Sequence, residues 1–154
     1  MKLIRASKHR LTFHLRQPEK HVLLRILRLY PRIPPAHHRL SKSSPSPQAE
    51  ENQRLLDQAL AEQRADNKKQ LQVLLTDRRR LEEVQNGWRV SLTRAEVDWL
   101  LQILNDIRVG SWLALGSPGE LPISLDQKAA PDFWAMEMSG FYQMQLLHAL
   151  NPVP

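Results

Sequence analysis

The stretch WRVSLTRAEVDWLLQILNDIRVGSWLALG, residues 88–116, decides how the rest of the chain is read. It opens on Trp88, Val90 and Leu92, which alternate with Arg89 and Ser91. A period of two places apolar side chains on one face of a strand. Thr93 follows, and Glu96 stands three residues on, which is the pattern of a capping box at a helix start. Val97, Leu100, Leu101, Leu104, Ile107 and Leu115 then recur at three- and four-residue steps, and Trp99, Ile103 and Trp112 widen the stripe. A helix apolar on most sides belongs in the middle of a fold. Gly116, Pro118 and Gly119 end it.

C-terminal to this stretch, residues 116–130 read as loop. Pro131 and Asp132 open a last helix running to Leu150, with Phe133, Trp134, Met136, Phe141, Met144, Leu147 and Leu150 as its packing set. Gly140 in mid-helix costs about 1 kcal/mol against alanine, so a close helix–helix approach is expected there.

N-terminal to it, residues 1–15 read as a hairpin. Leu11, Phe13 and Leu15 share one face, and Ser7, Lys8 and His9 make the turn. Pro18 and Glu19 suit a first helical turn, and Val22, Leu23, Ile26, Leu27 and Tyr30 give an amphipathic helix that stops before Pro31. Residues 31–47 hold Pro31, Pro34, Pro35, Pro45 and Pro47 with four serines, and read as a linker or long loop. Ser44-Pro45 and Ser46-Pro47 match phosphoacceptor dipeptides in a eukaryote, and a solvated linker in a bacterium. From Gln48 to Asn86 neither proline nor glycine intervenes and helix formers dominate. One helix of that span would be roughly 55–60 Å long at 1.5 Å per residue. It must break near Asp66-Asn67, project, or pair with a second copy, and Gly87 is placed to close it.

The 154 residues are expected to form a single domain, 1–154, with the loop at 31–47 inside it. Hydrophobic residues at 42% and charged residues at 25% are enough for a core without staples. The absence of cysteine excludes disulfide frameworks, thiol nucleophiles and thiolate metal sites, and fits a reducing cytoplasm. No apolar run reaches the roughly 20 residues of a membrane span. An Arg-rich, acid-poor start resembles a mitochondrial transit peptide, but the same residues also read as folded structure. Charge is lopsided: residues 1–42 carry +10 and the remainder −4, within the overall +6. A basic N-terminal part can meet phosphates or the acidic remainder of its own chain.

Catalytic constellations do not emerge. The histidines lack metal-ligand spacing, there is no Gly-x-Ser-x-Gly and no glycine-rich phosphate loop, and no cofactor or metal is expected. Gly110-Ser111 and Ser139-Gly140 read as small residues at packing contacts. Arg78-Arg79-Arg80 would fan around the long helix, about 100° apart, rather than form a patch. The basic face of the first helix, Arg25, Arg28 and Arg32, continued by Arg39 and Lys42, is the better candidate for nucleic-acid phosphates. A second candidate site is the polar cluster Asn105, Asp106 and Arg108, with Gln145 across from it on the last helix. It reads either as a buried network that fixes register or as a recognition spot in a groove between the last two helices.

Trp99-Leu100 … Leu104-Asn105-Asp106-Ile107-Arg108 resembles the W-L-x3-L-N-D-[IL]-R signature of an uncharacterised bacterial family, mainly actinobacterial. Tyr142 … Gln145-Leu146-Leu147 … Leu150 resembles that family's closing pattern. The likeness covers about 55 C-terminal residues best, and the basic, Pro/Ser-linked middle departs from it. The resemblance implies a bacterial cytoplasm, genes often encoded near the Clp protease adaptor, and in some members a transcriptional-regulator label. It implies no catalytic residue.

The expected fold is α+β and mostly α-helical, a small antiparallel N-terminal sheet packed on about four helices. The expected function is a non-enzymatic protein-interaction or adaptor domain, with a protein partner, no membrane, and a homodimer left open. The alternative is a nucleic-acid-binding transcriptional regulator using the basic N-terminal helix.

Overall fold

The computed structural model describes residues 1–39, 46–120 and 126–151. It is a mostly helical α+β structure, and among the described residues it has a four-stranded antiparallel sheet and four α-helices. Strand β1 (Lys2–Ala6) and β2 (Arg10–Leu15) form the expected hairpin. Helix α1 (Gln17–Leu27) follows, then a 3-10 turn at Pro35–His38. Helix α2 (Pro47–Thr76) leads to β3 (Leu81–Val84), β4 (Gly87–Thr93), α3 (Arg94–Ala114) and α4 (Ala130–Leu150). The order across the sheet is β1-β2-β4-β3. Ser41, Lys42, Ser43, Ser44 and Pro45 of the expected linker lie outside the described residues.

The expected helix from Gln48 to Asn86 is corrected: α2 stops at Thr76, and Leu81–Val84 form an edge strand on β4. Leu81, Glu82, Glu83 and Val84 favour helix by propensity, but β4 offers an unpaired edge, and tertiary pairing overrides a weak local preference. Gly87 does not close a helix. It pairs with Val84 across the hairpin at φ +142, and a Cβ there would lie 2.2 Å from the Leu15 carbonyl oxygen. Only glycine fits so near β2.

Leu11, Phe13 and Leu15 of β2 and Val90 and Leu92 of β4 present the buried face of the sheet. α1 contributes Leu23, Ile26 and Leu27, α2 contributes Leu71 and Leu74, and α3 contributes Val97, Leu100, Ile103, Leu104 and Ile107. α3 starts at the predicted box: Thr93 Oγ1 accepts the Glu96 N–H at 3.1 Å, and a Glu96 carboxylate oxygen accepts the Thr93 N–H at 2.8 Å.

α2 is about 45 Å long at 1.5 Å per residue and does not break at Asn67. Its polar middle is explained by tethers. Asn67 Nδ2 donates to the Tyr30 hydroxyl at 2.9 Å, and Asn67 Oδ1 accepts the Trp99 indole N–H at 2.9 Å. Arg64 donates to the Ile33 carbonyl at 2.5 Å.

The start of α1 is tied down by charge. Glu19 Oε1 lies 2.6 Å from the Met1 ammonium, and Oε2 accepts the Arg16 N–H at 2.8 Å. Burial works to raise the Glu19 pKa, but the Met1 ammonium and the Arg16 backbone and guanidinium outweigh it and hold the carboxyl at about 2. Its folded pKa therefore lies below the ordinary 4.5. The ionised carboxylate stabilises the fold above that value, and the contribution is lost as pH falls toward 2. Glu19→Gln is expected to cost about 1–2 kcal/mol near neutrality and to flatten the loss of stability between pH 5 and pH 2. Urea unfolding across a pH series measures both, and an unchanged acid limb would exclude this role for Glu19.

Candidate functional site

α4 is apolar on nearly every side, so it cannot bury all of its large residues against one neighbour. Its buried set is Ala135, Met136, Ser139, Tyr142, Leu146 and Ala149. The expected packing set is corrected at three positions: Phe141, Met144 and Leu147 are 43%, 56% and 48% exposed. The reason lies in the seam with α3. Ser139 and Ser111 are fully buried there, and each hydroxyl donates to its own helix, to the Ala135 and Ile107 carbonyls at 2.7 Å. Small, self-satisfied residues share the buried side with Met136, Tyr142 and Leu146, and Phe141, Met144 and Leu147 are left outside. Gln143 donates to the Leu101 carbonyl at 3.3 Å, and its buried Oε1 has no partner among the described residues.

The exposed side of this helix pair carries a groove of about 650 Å³. Val109 and Trp112 of α3 and Met136, Gly140, Phe141 and Met144 of α4 give its apolar lining, and Arg108 and Glu137 add one charge of each sign. Trp112 is 38% exposed, and its indole N–H donates to the Pro118 carbonyl at 3.1 Å, which holds the ring at the groove edge. The Arg108 stem crosses above Gly140, where an added Cβ would stand 3.6 Å from Arg108 Cδ. Among the described residues neither Arg108 nor Glu137 takes part in an ion pair.

The polar cluster read from the sequence does not come together. Neighbouring helical positions point about 100° apart, and the residues serve different surroundings. Asn105 is exposed. Asp106 Oδ1 accepts the Arg32 N–H at 2.6 Å and the Ile33 N–H at 3.4 Å, so it anchors the segment after α1. Arg108 turns to the groove, and half-buried Gln145 has no hydrogen bond to any of them among the described residues. The buried network across α3 and α4 is thus replaced by one structural carboxylate and one open guanidinium.

The other polar residues of the motif are tethers too. Trp99 holds α2 through Asn67. Tyr142 donates its hydroxyl to the Glu19 carbonyl at 2.7 Å, tying α4 to α1. Burial, followed by the charge of Glu19, pushes the Tyr142 pKa up to about 12.

The basic face expected on the first helix is corrected: α1 ends at Leu27, so Arg28 caps it and Arg32 lies beyond it, and two of the three arginines are spent within the molecule. The Arg25 guanidinium stacks over Trp134 at 4.6 Å, and Arg32 pairs with Asp132 at the start of α4. Arg28 remains exposed. Lys42 lies outside the described residues. Arg78-Arg79-Arg80 is not on a helix at all but in the turn that enters β3.

No protein-family model, curated protein sequence or solved structure matches the chain. Among the described residues there is no cluster of histidine and carboxylate groups that could hold a metal, and no helix long and apolar enough to cross a membrane. The sequence pointed to a polar recognition spot in a groove between these two helices, but the groove's apolar lining was missed because Phe141 and Met144 fit a packing stripe. The available signal was the number of large apolar residues in α4, more than one helical face can bury.

Proposed function

We propose that the protein is a non-enzymatic interaction or adaptor domain of a bacterial cytoplasm, and that the α3–α4 groove receives an amphipathic helix from a protein partner. The observation that carries this is Trp112, Phe141 and Met144 exposed together around one apolar groove. A contiguous apolar patch of this kind marks a contact surface. A groove between two helices suits a helix laid into it, with apolar anchors at three- and four-residue steps. Met136 and Met144 give the lining adaptability. Arg108 and Glu137 call for one acid and one base beside those anchors. The overall charge of +6 works against a second copy as the occupant, because like-charged copies repel. The resemblance at residues 99–108 and 142–150 to a family encoded near a protease adaptor agrees with this role.

The test uses the full chain and two variants, Phe141→Glu and Arg108→Glu, each checked for native circular dichroism. Proteins captured from host cells by wild type are identified. A synthetic peptide of the captured partner's amphipathic segment is then titrated while α3 and α4 amide resonances are followed. Support is a peptide that shifts those resonances and binds Phe141→Glu at least tenfold more weakly. Equal binding by the variants overturns the proposal. So does a wild-type dimer that Phe141→Glu dissociates, or a small-molecule cofactor that co-purifies in the groove.

A further inference from the structure

The antiparallel order of the sheet gathers basic residues that are far apart in the chain. β1 ends, β2 begins, β4 ends and β3 begins at the same end of the sheet. The β1–β2 hairpin brings Arg5, Lys8 and Arg10 there, with His9 in the turn. Arg94 follows β4 directly: its N–H donates to the His9 carbonyl at 3.3 Å and its guanidinium to the Lys8 carbonyl at 3.1 Å. The turn into β3 adds Arg78, Arg79 and Arg80, and the Arg80 carbonyl accepts the Ser91 N–H at 2.9 Å. Arg80 is committed to an ion pair with Glu96. The other six are exposed and make no ion pair among the described residues. The nearby acids besides Glu96 are Asp77, whose Oδ1 accepts the Arg79 backbone N–H at 2.9 Å, and Asp98 on the first turns of α3.

We propose that this end of the sheet binds the phosphate backbone of a nucleic-acid duplex without regard to sequence. Four strands at a spacing of about 4.8 Å make the end roughly 14 Å wide. A duplex carries one charge per about 1.7 Å of axis with both strands counted, so about eight phosphates fall within that width and roughly half of them face the surface. Phenylalanine, tyrosine and tryptophan are missing from residues 5–10, 77–80 and 93–98, which build it, so bases of a single strand would have no such ring to stack on. Large apolar side chains are missing from both turns, which leaves little to insert into a lipid surface. The surface is independent of the α3–α4 groove and of Arg25, Arg28 and Arg32.

Fluorescence anisotropy with random-sequence DNA and RNA duplexes of about 20 base pairs, across a salt series, tests it. Wild type should bind with micromolar Kd at low salt. With about five phosphates neutralised, affinity should fall about 500-fold between 50 and 200 mM salt. Arg78→Glu/Arg79→Glu and Arg5→Glu/Arg10→Glu should each weaken binding at least tenfold, with native circular dichroism retained. Arg28→Glu should change it less than threefold. No binding at low salt, an equal loss in Arg28→Glu, tighter binding to single strands, or tighter binding to phosphatidylserine vesicles would each overturn the proposal.

Discussion

Gly110→Ala is expected to destabilise the protein by about 2–3 kcal/mol, although the same substitution in an exposed helix interior would stabilise it by about 1 kcal/mol. A Cβ on Gly110 would lie 2.5 Å from the Arg32 carbonyl carbon and 2.7 Å from its oxygen. These are backbone atoms, and they cannot swing aside as a side chain would. The Arg32 segment is also pinned by Asp106, so moving it would stretch the 2.6 Å hydrogen bond to the Arg32 N–H. Gly140→Ala is the matched control. Its new methyl would meet Arg108 Cδ at an ordinary 3.6 Å, so helix propensity should win and stability should rise by up to about 1 kcal/mol. For a chain of this size the melting temperature should fall by roughly 5–10 °C for the first and rise by about 2–4 °C for the second. A Gly110→Ala protein that melts no lower than wild type would refute the close approach. The pair also corrects the sequence expectation, which placed the tight contact at Gly140.

Asn67→Leu is expected to cost about 2–4 kcal/mol, because it strands two partners at once. The indole of Trp99 can only donate, so the Asn67 oxygen must face it and the amide nitrogen must face Tyr30. Leucine satisfies neither, and Tyr30 is only 9% exposed. Aspartate keeps an acceptor for Trp99 and can take a hydrogen bond from a rotated Tyr30 hydroxyl, so Asn67→Asp should cost roughly half as much. Amide exchange should rise along the packed half of α2, around Leu71 and Leu74, before it rises in β2. If the leucine variant instead matches wild type in both stability and exchange, the tether does not hold α2 to the body.

The sequence showed most clearly where local chemistry and tertiary packing agree. Thr93 and Glu96 specify the start of α3 by themselves, and the alternation at Leu11, Phe13 and Leu15 matches the face that the sheet buries. Leu81 to Val84 were illegible for the opposite reason. Their composition favours helix, and only the free edge of β4 makes them a strand. The Asn86-Gly87 pair was the available turn signal. The site was less legible than the fold. Periodicity shows that a side chain lies on an apolar face, but not whether another element covers that face. Phe141 and Met144 therefore passed for core, and Asp106 and Arg108 passed for members of one polar cluster. The basic end of the sheet could not be read at all, since its residues become neighbours only once strand order is known.

That strand order also sets a timetable for synthesis. On one side β2 pairs with its hairpin neighbour β1, but on the other its partner is β4, and the paired Leu15 and Trp88 lie 73 positions apart in the chain. At 5–20 residues per second, roughly 4–15 s pass between the emergence of β2 and that of its neighbour. During that interval Leu11, Phe13 and Leu15 lack β4 beside them and the α3 residues that share their core. The basic, half-apolar segment around β2 is therefore made well before the strand and helix that complete its core.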